Sequence, residues 1–452
     1  MASPFVWPGR TDLGAMARLA VPIVVVQVGF RLMGVVDTMI VGHLSAEALA
    51  AVALGNLFVF GVTSFGFGLL MGLDPVVSQA VGAGEHRLVV RAVQRGLVLA
   101  VLVSVPIGLI LIPGESVLAA LGQPDEIVPL AAGYAHRSIP GIPPFLAFMA
   151  LRQTLQALER LRPIVVVVVA ANVANLVLDW IMVYGLGPLP AFGALGSAWA
   201  TTASRWMLLL LLLLIARADL EPLLSRIDPL VLRLRPLVEL TRLGAPVGVQ
   251  MQLEIVAFAV IALLMGAMGT VPIAAHQVAI SLASLTFMVP VGVAQAAAVR
   301  VGHAVGRRDD DGARRAAASA LVWGGGFMTA ATALFLAVPR PLAAAYTSSH
   351  DVLVLAAALI PIAGFFQIFD GFQAVSAGIL RGVGDTRVPM LVAVLGFWVV
   401  GMPVSLYLGY PAGFGPVGLW WGFVAGLGAV AAFLLARVAR LLSRPLERVA
   451  VE

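Results

Sequence analysis

The sequence predicts an all-α integral membrane protein of twelve transmembrane helices, arranged in two six-helix lobes related by pseudo-two-fold symmetry. Three observations support this fold class: the composition, the length of the apolar segments and an internal repeat. Hydrophobic residues make up 61% of the chain and charged residues 11%. Because soluble globular domains average about 25% charged residues, this composition excludes a soluble protein.

Each predicted transmembrane segment satisfies the length that a bilayer demands, about 20 predominantly apolar residues. The predicted spans lie at 14–42, 48–74, 90–113, 127–150, 163–185, 193–216, 238–268, 276–300, 315–338, 351–379, 388–409 and 416–441. Loops on one side of the membrane contain nearly all of the loop arginines, and lysine is absent from the chain. The positive-inside rule therefore places both termini in the cytoplasm, and this arrangement requires an even number of spans.

An internal repeat divides the twelve spans into two sets of six. The segment QAVGAGEHRLVVRA at 79–92 aligns with HAVGRRDDDGARRA at 303–316, an offset of 224 residues. We therefore predict an N-lobe at 1–222 and a C-lobe at 223–452, related by an axis along the membrane normal. The charged stretch at 217–236 joins them; alternatively, it is a large loop within one domain.

Four carboxylates occur inside otherwise apolar spans: Asp37, Asp179, Glu254 and Asp370. A charged side chain at the centre of a bilayer costs roughly 2.5–3.5 kcal/mol on insertion scales. Such residues usually face a cavity or a partner and mark an ion or proton pathway, so the chain is predicted to be a transporter. The alternative is an acid buried for packing, or one paired permanently with Arg31 or Arg205.

The first half of the chain contains the residues of a predicted cation site. Asn175 and Asp179 are four residues apart on one helix face, and Asp37, Ser197 and Thr201 can bring further oxygens. A cluster of carboxylate, amide and hydroxyl oxygens suits a hard cation such as Na⁺, and its carboxylates can instead take protons. For Asn175 and Thr201 the alternative is ordinary hydrogen bonding between helices.

The second half carries a different set of polar residues, because Glu254 and Asp370 have no acidic counterpart one repeat earlier. We expect these two acids to face each other across the bundle, with Gln250 one turn before Glu254. Such a pair can hold one cation, one proton or a cationic substrate. Each lobe is therefore predicted to have its own site.

A substrate cavity is predicted near the acids, lined by polarizable and aromatic side chains that suit flat hydrophobic cations. The candidates are Met33, Phe287, Met288 and Phe366. The alternative for all four is plain helix-packing core.

Motifs for catalysis or cofactor binding are missing from the sequence. There is no P-loop or GxGxxG fingerprint, no cysteine, and no histidine pair with metal-ligand spacing. We therefore predict no enzyme activity, no cofactor and no metal beyond transported Na⁺. The arginines flank hydrophobic segments as topology signals, so a nucleic-acid partner is not expected despite the net charge of +5.

Three motifs carry a resemblance to a known family: VVDTMIVGHLSAEALAAVALG in the first span, GAPVGVQMQLEIVAFAV in the seventh and FDGFQAVSAGILRGVGDTRVPM in the tenth. They resemble the NorM-type branch of the multidrug and toxic compound extrusion (MATE) family, over essentially the whole chain. The resemblance implies a secondary active antiporter of the bacterial inner membrane. Such a protein exports cationic amphipathic drugs or dyes in exchange for Na⁺ or H⁺ by alternating access, and we expect a monomer.

The resemblance also implies roles for individual residues. Asp37, Asn175, Asp179 and Thr201 match the N-lobe cation site of the family. Glu254 and Asp370 match the C-lobe acids of the NorM branch.

Two other function classes stay open. A lipid-linked sugar flippase of the related superfamily would favour a basic cavity, to which Arg31, Arg137 and Arg205 point. Against it, acids within the spans suit cations better than a pyrophosphate. A membrane-embedded enzyme lacks any supporting motif.

Overall fold

The computed structural model describes residues 6–187 and 190–449, and every regular element assigned in these two ranges is helical. Residues 1–5, 188–189 and 450–452 lie outside the described ranges. The α-helices assigned there are α1 (Arg10–Gly42), α2 (Ala46–Leu70), α3 (Leu73–Gly82), α4 (His86–Leu111), α5 (Gly114–Ala120), α6 (Val128–Ser138), α7 (Ile142–Ala157), α8 (Leu161–Tyr184), α9 (Ala194–Ile215), α10 (Arg217–Leu224), α11 (Leu234–Ala267), α12 (Thr270–Gly306), α13 (Asp310–Ala337), α14 (Pro339–Ala344), α15 (His350–Val383), α16 (Arg387–Ala393), α17 (Met402–Gly409) and α18 (Gly415–Leu442).

Shorter helical elements interrupt or join these helices. A 3₁₀ turn at Ile139–Gly141 lies between α6 and α7, and another at Pro229–Leu232 precedes α11. A π-helix at Val394–Gly401 joins α16 to α17, so that the three form one continuous helical segment.

Eleven helical segments of the described chain are long and apolar enough to cross a membrane, and they coincide with eleven of the twelve predicted spans. The other predicted span, 127–150, corresponds to α6 and α7 with the 3₁₀ turn between them. Pro140 lies in that turn and Pro143 follows it. Since proline lacks an N–H and clashes with the preceding turn of a helix, the α-helix of this crossing is interrupted there.

Two compact units divide the described chain. The first unit is Val25–Gly248; the second runs from Val249 onward and also contains the described residues before Val25. Both boundaries fall inside a long helix, α1 and α11, two residues after Pro22 and Pro246. These two prolines are 224 residues apart, the offset of the sequence repeat. The predicted lobes 1–222 and 223–452 divide the chain at the linker instead, and that division stays a prediction.

Polar contacts and close packing hold the start of α1 within the second unit. Arg300 donates a hydrogen bond of 2.7 Å from Nη1 to the carbonyl oxygen of Asp12. The Nε of Arg315 lies 3.9 Å from Oδ1 of Asp12. A Cβ added to Gly292 of α12 would clash with the Val24 side chain, so the two helices pack backbone against side chain there.

Hydrogen bonds with α4 attach the linker before α11 to the first unit. Gln94 of α4 donates from Nε2 to the carbonyl oxygens of Leu223 and Arg226, both at 2.8 Å, and accepts from the backbone N–H of Asp228 at 3.0 Å. Arg91 donates to Oδ2 of Asp228 at 2.6 Å and lowers the pKa of that carboxyl. The linker is therefore an ordered part of the first unit.

Backbone-to-backbone packing holds the start of α11 in the first unit. A Cβ added to Gly244 would coincide with the carbonyl group of Leu69 in α2. One added to Gly72 would lie 2.7 Å from the Gly244 nitrogen, and one added to Gly248 would lie 2.8 Å from the carbonyl oxygen of Phe65. Small residues permit this approach of helix axes, as is common in membrane bundles.

Candidate functional site

Three helices of the first unit bring together the five polar residues that the sequence predicts for the N-lobe. Asp37 comes from α1, Asn175 and Asp179 from α8, and Ser197 and Thr201 from α9. On α8 and on α9 the two residues are four positions apart, which places them on one face of their helix. All five are at most 8% exposed. We call this group the aspartate cluster.

Contacts within the aspartate cluster centre on its two carboxylates. Thr201 donates a hydrogen bond of 3.1 Å from Oγ1 to Oδ2 of Asp37. The Asp179 carboxyl interacts with that of Asp37 and with the side chains of Ser197 and Asn175. All five predicted residues therefore meet in one place.

Several polar atoms of the aspartate cluster are buried without a hydrogen-bond partner among the described residues. They are Oδ1 of Asp37, both carboxylate oxygens of Asp179, Oδ1 and Nδ2 of Asn175 and Oγ of Ser197. Removing a carboxylate from water without a partner is costly, so buried acids are normally paired, protonated or bound to a cation. The chemistry of this donor set fits a proton or a hard monovalent cation held by carboxylate, amide and hydroxyl oxygens.

Tyr134 of α6 also belongs to this neighbourhood, although the sequence did not predict it. Its side chain is 2% exposed and interacts with Thr201 and with the charges of Asp37 and Asp179. A tyrosine within an apolar span is usually packing, so composition alone gave no signal. The close approach of Gly55, where an added Cβ would lie 3.0 Å from the tyrosine ring, shows how tightly α2 packs against it.

A second polar group lies in the second unit, on α11 and α15. The carboxylate oxygen Oε1 of Glu254 accepts hydrogen bonds from Nε2 of Gln250 at 2.9 Å and from Nε2 of Gln373 at 2.7 Å. Asp370, one turn before Gln373 on α15, is 7% exposed and close enough to Glu254 for electrostatic repulsion. We call these four residues the glutamate cluster.

Gln373 is the member of the glutamate cluster that the sequence did not predict. Its other amide atom, Oε1, is buried without a hydrogen-bond partner among the described residues. The spacing of three residues from Asp370 places both on one helix face and was the available signal. A second buried glutamine, Gln367, accepts a hydrogen bond from the hydroxyl of Thr286 of α12. Carboxamides therefore outnumber acids along this face of α15.

The four residues predicted to line a substrate cavity have different environments. Met33 is buried, whereas Phe287 and Met288 are partly exposed. Phe366 is 1% exposed and packs edge-on against Phe258 and Trp420. Its burial favours a packing role over a lining role.

Metal-site geometry is not found within 6–187 and 190–449: no three His, Asp or Glu side chains there converge as a metal site requires. Each cluster instead mixes at most two acids with neutral oxygens. Such sites suit monovalent cations or protons that must also leave, because more carboxylates would hold a cation too tightly.

Comparison with protein families and curated sequences gives consistent matches over most of the chain. The MatE family profile matches residues 22–181 and 246–407, two segments whose starts are 224 residues apart. The probable multidrug resistance protein NorM of Bradyrhizobium diazoefficiens is 38% identical over 440 residues, covering 95% of this chain and 93% of that protein. The multidrug resistance protein NorM of Vibrio cholerae is 34% identical over 407 residues, covering 88% of each.

Solved structures show the same fold. The crystal structure of the eukaryotic MATE transporter AtDTX14 superposes with a TM-score of 0.87 at 24% identity, covering 96% of this chain and 98% of that one. A MOP superfamily transporter from Pyrococcus furiosus gives a TM-score of 0.84 at 20% identity, covering 96% and 97%. At these identities the likeness concerns the fold alone.

Proposed function

The chain belongs to the MatE family, and from this premise we propose that it exports cationic amphipathic drugs or dyes in exchange for Na⁺ or H⁺. It is a multi-pass membrane transporter for multidrug efflux and not an enzyme. The coupling ion, the drug class and the residues that bind them are our proposals.

The proposal of cation coupling rests on the buried aspartate cluster. Its carboxylate, amide and hydroxyl oxygens converge, and several of them have no hydrogen-bond partner among the described residues. A bound cation or proton would compensate this charge, and the unsatisfied oxygens offer more ligands than one proton needs. We therefore favour Na⁺ over H⁺ as the coupling ion.

The glutamate cluster is proposed to bind a cation or the drug's positive charge through Glu254 and Asp370, with Gln250 beside them. Alternating access needs two global states, and a ligand shifts them only by binding one more tightly. An entering cation neutralises the carboxylates for which the drug's charge competes, so binding of one favours release of the other. Met33, Phe287 and Met288 stay proposed contributors to the apolar surface, and Phe366 stays a candidate whose burial favours packing instead.

The membrane potential limits the stoichiometry. Moving one charge across 100 mV is worth about 2.3 kcal/mol, which favours cation entry and opposes export of a monovalent cationic drug. Net export at constant potential therefore uses more than one cation per drug or a chemical gradient of the cation. We further propose a bacterial inner-membrane location, cytoplasmic termini, a monomer, no cofactor, and functional lobes at 1–222 and 223–452.

The flippase alternative receives less support, because its three arginines have different surroundings. Arg31 is exposed, Arg137 donates to the carbonyl oxygen of Gly133, and Arg205 stacks over the ring of Phe145. A transport assay separates this alternative from the proposal.

Proteoliposomes with the purified chain, loaded with ethidium and given a Na⁺ gradient or a pH gradient separately, test the proposed function. We expect efflux with at least one gradient and loss of gradient-driven efflux in Asp37→Asn. The exposed Asp125→Asn in the same unit is the matched control. Efflux that ignores both gradients, or transport of a lipid-linked sugar in its place, would contradict the antiporter.

A further inference from the structure

Arg205 lies one helical turn after Thr201 on α9, beside the aspartate cluster of the first unit. Side chains on an α-helix tilt towards its N-terminus, so the guanidinium of Arg205 extends over the turn that carries Thr201. Thr201 in turn donates to Asp37. Arg205 accordingly interacts electrostatically with Asp37 and Tyr134.

The surroundings of the Arg205 guanidinium supply packing but little hydrogen bonding. Its Cζ lies 5.2 Å from the ring centroid of Phe145, and its Cδ packs against Gly141, where an added Cβ would be 3.0 Å away. Nη1 is buried without a hydrogen-bond partner among the described residues, as is Oδ1 of Asp37. Two opposite charges therefore lie near each other, each with a polar atom unsatisfied.

A buried charge in this state needs compensation from an opposite charge nearby, because hydrogen bonding does not complete its shell. The groups that act electrostatically on Arg205 are Tyr134 and, after it, Asp37. Because a protonated phenol carries no charge, the Asp37 carboxylate is the group that can compensate the guanidinium. Arginine keeps its proton at all physiological pH values, so its positive charge is permanent. The positive charge of Arg205 thus acts on the cluster at every physiological pH.

We propose that Arg205 is a tethered counter-charge of the aspartate cluster, which limits the cluster to one monovalent cation and weakens the binding of that cation. This rests on the proposed function of the cluster as a cation site. With both carboxylates ionised, the cluster and Arg205 together carry one net negative charge, which one monovalent cation neutralises. A second cation would leave an uncompensated positive charge in a low-dielectric surrounding. The weakened affinity lets the cation leave on the side where it is scarce.

The test compares Arg205→Gln, which removes the charge, with Arg205→Lys, which keeps it. In proteoliposomes, the measured quantity is the concentration of the driving cation, Na⁺ or H⁺, at half-maximal ethidium efflux. Removing one unit charge near the site should lower that concentration about tenfold in Arg205→Gln. Arg205→Lys should stay close to the wild type. Arg137→Gln, in the same unit, is the matched control because its guanidinium bonds a backbone carbonyl outside the cluster.

The rise in melting temperature that the cation causes in detergent is a second measurement. It would not differ between the variants if Arg205 had a purely structural role. A cation that binds the folded state raises the melting temperature by mass action. Saturating driving cation should therefore stabilise Arg205→Gln more than the wild type. A half-maximal concentration that is unchanged or raised in Arg205→Gln, with no added stabilisation by the cation, would overturn the proposal.

Charge removal can also prevent folding, and a double variant covers that case. Asp37→Asn combined with Arg205→Gln removes both charges together and should fold even where Arg205→Gln alone does not, because only the Asp179 carboxylate is then left and the net charge of the group is again one negative, as in the wild type. A double variant that stays misfolded overturns the proposal. If Asp37→Asn alone leaves the cation dependence of efflux unchanged, the cation-site assignment fails as well; if only Arg205→Gln lacks an effect, the counter-charge alone is wrong.

Discussion

Gln373 on α15 donates a 2.7 Å hydrogen bond to Glu254 on α11, and so links two helices of the second unit through one carboxylate oxygen. The same oxygen accepts from Gln250, one turn before Glu254 on its own helix. Glu254 is therefore held from both sides by amide donors that stabilise its ionised form. Of the two acids in the glutamate cluster, Glu254 is the one that accepts these two amide hydrogen bonds.

Replacing Gln373 by Leu should raise the affinity of Glu254 for the cation that neutralises it. A hydrogen bond to a charged group contributes about 1.5–3 kcal/mol, so its loss should lower the half-maximal driving-cation concentration roughly tenfold. Maximal efflux should fall because cation release becomes slower. The exposed Gln277→Leu on α12 is the matched control, and an unchanged cation dependence in Gln373→Leu would contradict a role for this bond.

Neutralising either acid of the glutamate cluster should abolish resistance to cationic drugs. Glu254→Gln and Asp370→Asn keep shape and volume but remove the charge that a cation or a cationic drug needs. Resistance of cells to ethidium, with membrane expression measured by immunoblot, checks the expectation. Asp351→Asn, at the exposed start of α15, serves as control. Near wild-type efflux by both variants would rule the pair out.

Drug and cation should compete for the same carboxylates. Raising Na⁺, or lowering the pH if protons couple, should weaken equilibrium binding of ethidium to the protein in detergent, and Asp370→Asn should blunt that dependence. Fluorescence titration measures the affinity directly. Drug affinity that is indifferent to both ions over about a hundredfold range would show that coupling passes instead through the aspartate cluster.

Phe366→Ala should reduce stability and, with it, resistance to all drugs alike. Phe366 stacks on Phe423 at a ring separation of 5.6 Å and is 1% exposed, so truncation removes core contacts worth about 3–5 kcal/mol. Its neighbour Phe365 is 40% exposed, which makes Phe365→Ala a matched control. Melting temperature and a panel of drugs are the measurements. A change in relative resistance without loss of stability would favour the cavity-lining role.

Gly244→Ala should destabilise the first unit by about 1–3 kcal/mol, since its methyl group would coincide with the carbonyl of Leu69. Gly266→Ala on the same helix is the control, because an added Cβ there meets nothing within 4 Å. It should be neutral or stabilising by up to about 1 kcal/mol. Thermal unfolding of both variants in one detergent decides the matter, and equal melting temperatures would show that α11 can move away from α2.

Local periodicity predicted well those features that depend on one helix at a time. Eleven continuous spans follow from hydropathy, and the four-residue spacing of Asn175 and Asp179 placed both on the face that meets Asp37. The break at Pro140 was visible in the sequence but could not be weighed, because a proline inside a span more often kinks a helix than ends it. The prediction of twelve crossings holds with one of them interrupted.

Contacts between side chains on different helices were harder to predict from the sequence. Tyr134 and Gln373 belong to the two clusters through contacts with residues far away in sequence, and neither carries a charge that would mark it. Phe366, one turn before Asp370, is predicted to line the substrate cavity, and that role stays a prediction. Its actual neighbours come from α11 and α18, which no spacing on α15 reveals.

The exchange of helix starts makes each unit depend on both halves of the sequence. The start of α1 belongs to the unit formed by the later half of the chain, whereas the start of α11 belongs to the unit formed by the earlier half. Each unit is therefore completed by a helix start from the other half of the sequence, so a cut at the linker would separate each unit from a part of itself. Neither half expressed alone should fold as a complete unit for the same reason.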